Sequence, residues 1–558
     1  MVQKILGFLY KETGTLNQAA FLLGLFAFLS QVLAFLRDRL LAHIFGASTE
    51  LDIYYAAFRV PDLIFVTVAS VVSLSVLIPF IIEKEAQSFE ELRSFLSNIF
   101  SFFSILIIVV SGLAYFFMPT ISSALFKGFS QEALGEVIFI SRILLLSPII
   151  LGFSNLFGSI TQAYNRFTIY ALSPLLYNAG IIVGIIFLAE KMGVLGVSIG
   201  VLVGALLHAL IQVPFVLKTG LFPKFSLKLN FAQINQVVKI SLPRTLALSM
   251  GSIALIFLVS LASTMPTGSI SILSFSFNIQ AVLVSIIGVS YSLAAFPTLS
   301  RRFKENNFEA FLKQMETTAR FIIFWILPLT ALFVVLRAQI VRVVLGSGLF
   351  DWNDTRLTAA SLALFIFSAI FQCLLLLFVR GFYSAGLTKT PLFINVISTV
   401  IMVLSTWGLV ELFYFSDSFR YFVSALLKVE DLPGTAVLML PLGFSIGAII
   451  NGLLHWIVFE KKFRGFSQIV VRTFFEGLGA SVIMGAVAYF GLNIFASLLD
   501  TTTLFGILLQ GLLAGLLGMV SGVIVLYLLK SRELSEVRDV LKQKFWRTKV
   551  IATDSEIV

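Results

Sequence analysis

The residues able to do chemistry are few and lie close together. Arg37, Asp38 and Arg39 are followed by Asp52, Arg59 and Asp62, all set in otherwise apolar sequence. An arginine places forked hydrogen bonds on a phosphate, and such bonds gain strength where water is scarce. A carboxylate in the same surroundings serves as its exchangeable partner. Ser30, Gln31, Ala34 and Asp38 recur at spacings that line one side of a helix with small or polar groups. Arg37 and Asp38, adjacent in sequence, point to different sides of that helix, so each is expected to pair elsewhere, with Asp52 or Asp62 as partners for an arginine. Arg39, Arg142, Arg244 and Arg380 sit near the ends of apolar runs, where a long side chain snorkels to an interface. This is the chemistry of binding an anion. Arrangements for breaking bonds are missing: no HExxH, no Walker loop, no GxSxG elbow and no carboxylate pair inside an apolar run. The single cysteine, Cys373, excludes a disulfide framework and a thiolate metal site, and three scattered histidines do not make a metal cluster. The expectation is a protein that is not an enzyme and carries no cofactor.

The elements that hold these residues follow from composition. Of 558 residues, 58% are hydrophobic and only 12% charged, against about 45–50% and about 25% in soluble domains. So little charge cannot cover a soluble surface. The runs are long and unbroken, unlike the alternating segments of a β-barrel. The fold class is therefore an all-α polytopic membrane protein. Taking about 20 apolar residues per crossing, the sequence predicts fourteen spans: 17–45, 53–82, 94–118, 134–163, 168–189, 193–217, 240–264, 269–299, 318–337, 357–384, 390–414, 435–459, 473–497 and 503–529. Arg59 and Pro61 interrupt the second.

Charge placement sets the orientation. With the N-terminus inside, 26 Lys and Arg fall on the inner side and 7 on the outer side, a bias that puts both termini in the cytoplasm. The net charge of +10 then reflects topology and attraction to anionic lipid headgroups, and no nucleic-acid partner is expected. Residues 1–16 are short and mixed and do not read as a cleavable signal.

One internal repeat is specific. Residues 198–208, SIGVLVGALLH, and residues 445–455, SIGAIINGLLH, agree at both ends and fall in the sixth and twelfth spans. They place His208 and His455 at equivalent helix ends, where packing is the expected role. The organisation read from this is a cytoplasmic segment 1–16, an N-lobe 17–218, a linker 219–239, a C-lobe 240–460, two further helices within 473–529 and a basic tail 530–558. Two parallel six-helix lobes favour a transporter with its cavity between them. The stretch Phe419 to Leu427 reads as a short interfacial amphipathic helix.

These motifs together resemble a known family. Ser30 through Asp38, Ile44-Phe45-Gly46-Ala47, Asp52 and Phe58-Arg59-Val60-Pro61-Asp62-Leu63 are similar to the N-terminal signature of the MurJ (MviN) lipid II flippases, in the MOP exporter superfamily. Further matches are Tyr164-Asn165-Arg166-Phe167 through Ser173-Pro174 and Asn178, Gly204 to His208 with Gln212-Val213-Pro214, Pro243-Arg244-Thr245-Leu246, and Gly381-Phe382-Tyr383-Ser384 through Pro391. The resemblance implies alternating-access export of an undecaprenyl-pyrophosphate-linked peptidoglycan precursor across the bacterial cytoplasmic membrane, by a monomer. It also implies a cationic cavity and a groove for the lipid tail near the last two spans. On this reading Arg37 binds the diphosphate, Ser30, Gln31, Arg59 and Asn278 line the cavity, and Asp38 and Asp52 form gate pairs. The resemblance is imperfect at charged positions. Gln31 and Ala34 stand where the family usually has arginine and glycine, Phe65 and Val66 where it has an arginine pair, Ser70 where it has a glutamate, and Phe275-Ser276-Phe277-Asn278 where it has Tyr-Ala-Asp-Arg. The alternative is a related exporter of another polyprenyl-linked glycan or amphipathic substrate. For energy, the expectation is membrane potential or a coupling cation, with Asn395, Ser398 and Thr399 as weak sodium ligands.

Overall fold

The computed structural model describes residues 16–69 and 74–546; most of segment 1–16, Ser70 and the end of the basic tail lie outside them. Among the described residues every regular element is helical. Among the described residues ten helices are long and apolar enough to cross a membrane, or eleven if Trp352–Ile366 and Ala369–Ser384, bent by 43°, form one span. These stretches overlap each expected span from 94–118 to 503–529, the bent pair taking 357–384. Two expected spans, 168–189 and 193–217, lie in the single stretch Phe167–Lys218. It breaks at Gly193 (φ 55°, ψ −141°), the first residue of the expected span 193–217 and just after the expected turn. The expected 17–45 and 53–82 fall on Leu16–Phe45 and on Thr49–Val68 with Leu74–Gln87, and these are not among the ten.

Local signals start the helices where the sequence needs them. Ser48 accepts from the Leu51 amide at the head of Thr49–Val68, Ser88 caps Phe89–Leu125, Ser130 caps Gln131–Leu144 and Asn230 caps Phe231–Ala262. Each satisfies an amide that helix geometry leaves unpaired. The amphipathic helix expected from Phe419 is present as Asp417–Leu427, capped by Ser416 immediately after Lys389–Phe415.

The chain forms two compact units, Met1–Val282 with Val341–Phe365 and Leu387–Asn451, and Leu283–Ile340 with Ile366–Gly386 and Gly452–Val558. In the first, the two halves of Phe167–Leu210 fold back on each other through glycines. A Cβ on Gly180 would lie 2.4 Å from the Gly204 Cα, and one on Gly184 would lie 2.5 Å from the Gly200 Cα. Such close backbone approach is how helices associate without a hydrophobic drive. The duplicated motif repeats the device: Gly447, the counterpart of Gly200, leaves no room for a Cβ against Met402 of Lys389–Phe415. Each copy thus packs its first glycine on the preceding span.

The second unit packs Phe308–Val335 against Phe466–Ala496 and closes one end with rings of Phe311, Phe378, Phe382, Phe459, Phe463 and Phe466. Cys373 is buried there, with Gly288 of the π-helical turn Val284–Val289 against it.

Candidate functional site

Arg37 is the centre of a hydrogen-bonded chain in the first unit. Its Nε and Nη2 donate to Asp38 Oδ1 at 3.0 and 2.8 Å, and Nη1 donates to Asn178 Oδ1 at 3.3 Å. Asn178 in turn donates to Ser30 Oγ at 3.3 Å, and Asn278 donates to Asp38 Oδ2 at 3.0 Å. Four helices therefore converge: Leu16–Phe45, Phe167–Leu210, Ser269–Leu283 and, through Arg59 Nη2 on Ser274 Oγ at 3.3 Å, Thr49–Val68. Asp38 is buried, whereas the Arg37 side chain keeps 22% of its surface exposed. A guanidinium has five N–H donors, and these three hydrogen bonds use one at each nitrogen.

One expectation is corrected here. Arg37 and Asp38 pair with each other, although neighbouring positions diverge on a helix. The arginine side chain is long enough to turn back over the adjacent carboxylate, which the short Asp38 side chain cannot do alone. Asp52 also behaves differently from an arginine partner. Its carboxylate accepts from the Gly268 and Ser271 amides, both at 2.7 Å, and from Ser271 Oγ at 2.6 Å. It thereby caps the N-terminus of Ser269–Leu283, where unpaired amides and the helix dipole favour an anion. Gly268 adopts φ 87°, and a Cβ there would lie 2.4 Å from the Ala47 carbonyl oxygen.

Three of the arginines near the ends of apolar runs have protein partners. Arg39 donates to the Val343 and Val344 carbonyls at 2.6 and 3.4 Å, groups left unpaired in the last turn of Arg337–Leu345. Arg142 donates to the Tyr115 carbonyl and covers the Tyr115 ring, and Arg380 donates to Ser292 Oγ and covers Phe296. Gln31, next to Ser30, is half-buried and is not a member of the Arg37 chain among the described residues.

The first unit also holds a cavity of about 510 Å³ lined by Phe65, Val66, Leu248, Leu255, Phe277 and Phe444, with Asn155 and Ser252 as its polar side chains. Two of its walls, Phe65 and Val66, are the positions singled out above for lacking charge. In the second unit an apolar groove of about 400 Å³ runs between Phe308–Val335 and Phe466–Ala496, lined by Leu327, Val334, Phe371, Phe474, Leu478 and Val482 among others.

Asn178 was quoted above only as part of a motif, yet it joins Ser30 to Arg37. The signal was present in a second duplication: Pro174-Leu175-x-x-Asn178 matches Pro391-Leu392-x-x-Asn395. Asn395 plays the parallel part, donating to the Ala247 carbonyl at 3.2 Å and accepting from Asn451 at 3.2 Å. Ser398, one helical turn on, is buried. Ser271, Ser274 and Gly268 carried no signal of their own, because small residues in apolar runs are common.

Comparison with known proteins identifies the family and the fold. A family described as "Lipid II flippase MurJ" matches residues 41–510. A "Probable lipid II flippase MurJ" of Buchnera aphidicola subsp. Baizongia pistaciae is 26% identical over 402 residues, 71% of this chain and 78% of that protein. A "Lipid II flippase MurJ" of Burkholderia cenocepacia is 22% identical over 476 residues, 83% of this chain and 88% of that one. Among solved structures, "Lipid II flippase MurJ, inward closed conformation" superposes with a TM-score of 0.71 at 24% identity, covering 91% of this chain and 99% of that one. An inward-facing MATE transporter of the MOP superfamily gives a TM-score of 0.62 at 18% identity, covering 78% and 96%. At these identities the structures establish a shared fold.

Proposed function

The chain belongs to the lipid II flippase MurJ family, and from that premise we propose that it moves an undecaprenyl-pyrophosphate-linked peptidoglycan precursor, lipid II, from the inner to the outer leaflet of a bacterial cytoplasmic membrane. The observation that carries the reading is Arg37, a partly exposed guanidinium on the helix Leu16–Phe45, held by one carboxylate and one neutral amide. Ionisable groups inside the hydrocarbon cost about 2.5–3.5 kcal/mol each on insertion scales and are kept where they act. Arg37 takes the diphosphate by forked hydrogen bonds, with Asn178, Asn278, Ser30, Gln31 and Arg59 as the polar groups of its surroundings. The apolar groove at Phe466–Ala496 suits the polyprenyl chain.

In this reading alternating access exchanges partners at two places. Asp38 passes from Arg37 to another donor when the diphosphate arrives. Asp52 fixes or frees the head of Ser269–Leu283. The two lobes, 17–218 and 240–460, are the moving bodies, and the paired motifs around Asn178 and Asn395 support their common origin. Both termini face the cytoplasm, anionic lipids attract the basic tail, and the protein acts as a monomer. The drive is membrane potential or a cation held by oxygens of Asn395, Ser398 and Thr399.

A second reading, export of another polyprenyl-linked or amphipathic cargo, is favoured by the cavity walled by Phe65, Val66, Phe277 and Phe444. Reconstitution in vesicles with labelled lipid II separates the two. Protein-dependent movement of label between leaflets, lost in Arg37→Ala, supports the first. Binding and movement of a different amphipathic lipid with no effect on lipid II would establish the second.

A further inference from the structure

The tail helix Arg532–Trp546 begins beyond residue 510, where the family match ends, and it is fastened to the groove helices by a sealed polar cluster. Arg320 Nε donates to Glu533 Oε1 at 2.6 Å, and both residues are buried. Thr473 Oγ1 donates to the same oxygen at 3.0 Å, and Ser531 Oγ donates to Oε2 at 2.8 Å. Arg320 also reaches Glu536, which Arg532 braces from outside. Three elements meet here: Phe308–Val335 gives Arg320, Phe466–Ala496 gives Thr473, and the tail helix gives Glu533.

The cluster is continuous with the groove. Phe474, a groove wall, follows Thr473 directly. One turn above Arg320, Phe324 packs with Ala480, Leu526, Leu534 and Val537. The next turn brings Leu327 into the groove wall, and Leu478 and Ser481 flank Ala480. The tail helix therefore backs one end of the groove through a single apolar layer.

We propose that Glu533 and Arg320 are positioning residues for the groove: they strap the tail helix across Phe308–Val335 and Phe466–Ala496 and so set the separation at which an apolar chain is held. The inference rests on the reading of the groove as the seat of the cargo's lipid tail. A buried carboxylate with donors from two other helices and from the residue before its own helix is a good device for fixing register, because removing Arg320 leaves Glu533 buried and unpaired.

The test uses the full chain in lipid nanodiscs and a polyprenyl diphosphate bearing a photoreactive group in its isoprenoid part. In Glu533→Ala the tail should become protease-sensitive, with cleavage between 528 and 546 faster by at least about tenfold, and photolabelling of the groove should lose most of its intensity. In Arg320→Met combined with Glu533→Leu, apolar packing replaces the pair, and both protection and labelling should return. That double variant carries the test if Glu533→Ala fails to insert. A tail that stays protected in Glu533→Ala, or labelling that stays at the wild-type level once the tail is free, overturns the strap. A protected tail without labelling in the double variant also overturns it. Absence of groove labelling in the unaltered protein overturns the groove reading instead.

Discussion

Two arginine–carboxylate pairs in this chain have similar geometry and opposite surroundings. Arg37 and Asp38 meet at 2.8 Å, Arg320 and Glu533 at 2.6 Å. The Arg37 side chain is 22% exposed and its other partner is a neutral amide, whereas the Arg320 side chain is 5% exposed and faces a carboxylate saturated by hydroxyls. The first pair can release a partner and accept a ligand anion at modest expense, because amide hydrogen bonds are each worth about 1 kcal/mol net. The second has no such slack. Burial of a charge marks a constraint; spare donors and a route to them mark a binding site.

The difference can be broken most forcefully at the sealed pair. Arg320→Ala should destabilise the protein by about 3–5 kcal/mol, since it leaves Glu533 buried and unpaired. Arg37→Ala also strands a buried carboxylate, but Asp38 keeps the Asn278 donor and the Arg37 side chain is the more exposed of the two arginines, so it should cost less than Arg320→Ala and yet abolish lipid movement. Thermal unfolding in detergent and a leaflet-exchange assay on the same preparations give both quantities. If Arg37→Ala is the less stable of the two, or if it flips lipid normally, the contrast is wrong.

A charge added to the apolar cavity sharpens the comparison from the other side. Val66→Arg places a guanidinium where the walls are Phe65, Leu248 and Phe277, with no carboxylate provided. The expected loss is about 2.5–3.5 kcal/mol of stability, offset when inorganic pyrophosphate or lipid II is present. Ligand-dependent recovery of the melting temperature in the variant, exceeding that of the unaltered protein, would show that this cavity is open to the diphosphate. No recovery would assign diphosphate recognition to Arg37 and its neighbours alone.

Asp52→Ala comes next. It removes three hydrogen bonds from the head of Ser269–Leu283, and about 2–3 kcal/mol of stability should go with them. Asp52→Asn keeps an acceptor and should recover part of that loss without the charge. If transport follows stability through both variants, Asp52 is a fixed cap. If Asp52→Asn folds fully and fails to transport, its charge belongs to the cycle.

How far the sequence disclosed these sites depends on how each residue finds its partner. Most of the spans were legible because hydrophobic length is a local property, and Arg37, Asp38 and Asp52 stood out because polar groups are rare in apolar runs, whereas Asn278 was named only through the family resemblance. Their partners were not legible, since helix spacing says which residues share a face and says nothing about a long side chain folding back, as Arg37 does on Asp38. Asp52 was read as a gate residue, but its three donors include two backbone amides, which no residue type announces. Arg320 and Glu533 were missed for a different reason. Arg320 was absorbed into the count of orienting cations, and Glu533 was hidden among the lysines and arginines of the tail. An arginine already within an apolar run, and the Ser531-x-Glu533 pattern opening a helix, were the available signals.

The smallest effect is a pH dependence, and it bears on the sealed pair alone. Burial by itself would push the Glu533 carboxyl up, but the hydrogen bonds from its own backbone, Arg320 and Ser531, with the charge of Arg320, overcome that and hold it below the usual range. A carboxylate whose value is depressed on folding contributes stability that is complete above its unfolded value, about 4.3 for glutamate. That contribution is lost as the pH falls through the folded value. Protease protection of the tail should therefore be the same at pH 8 and pH 5 and decline only in more acid solution, below the range where an ordinary glutamate titrates. In Arg320→Met the depressing charge is gone and burial acts unopposed by it, so the decline should move to higher pH. A wild-type midpoint above pH 5, or no shift in Arg320→Met, would mean that the tail is held by its apolar contacts with Phe324, Ala480 and Leu526, with the ion pair as a passenger.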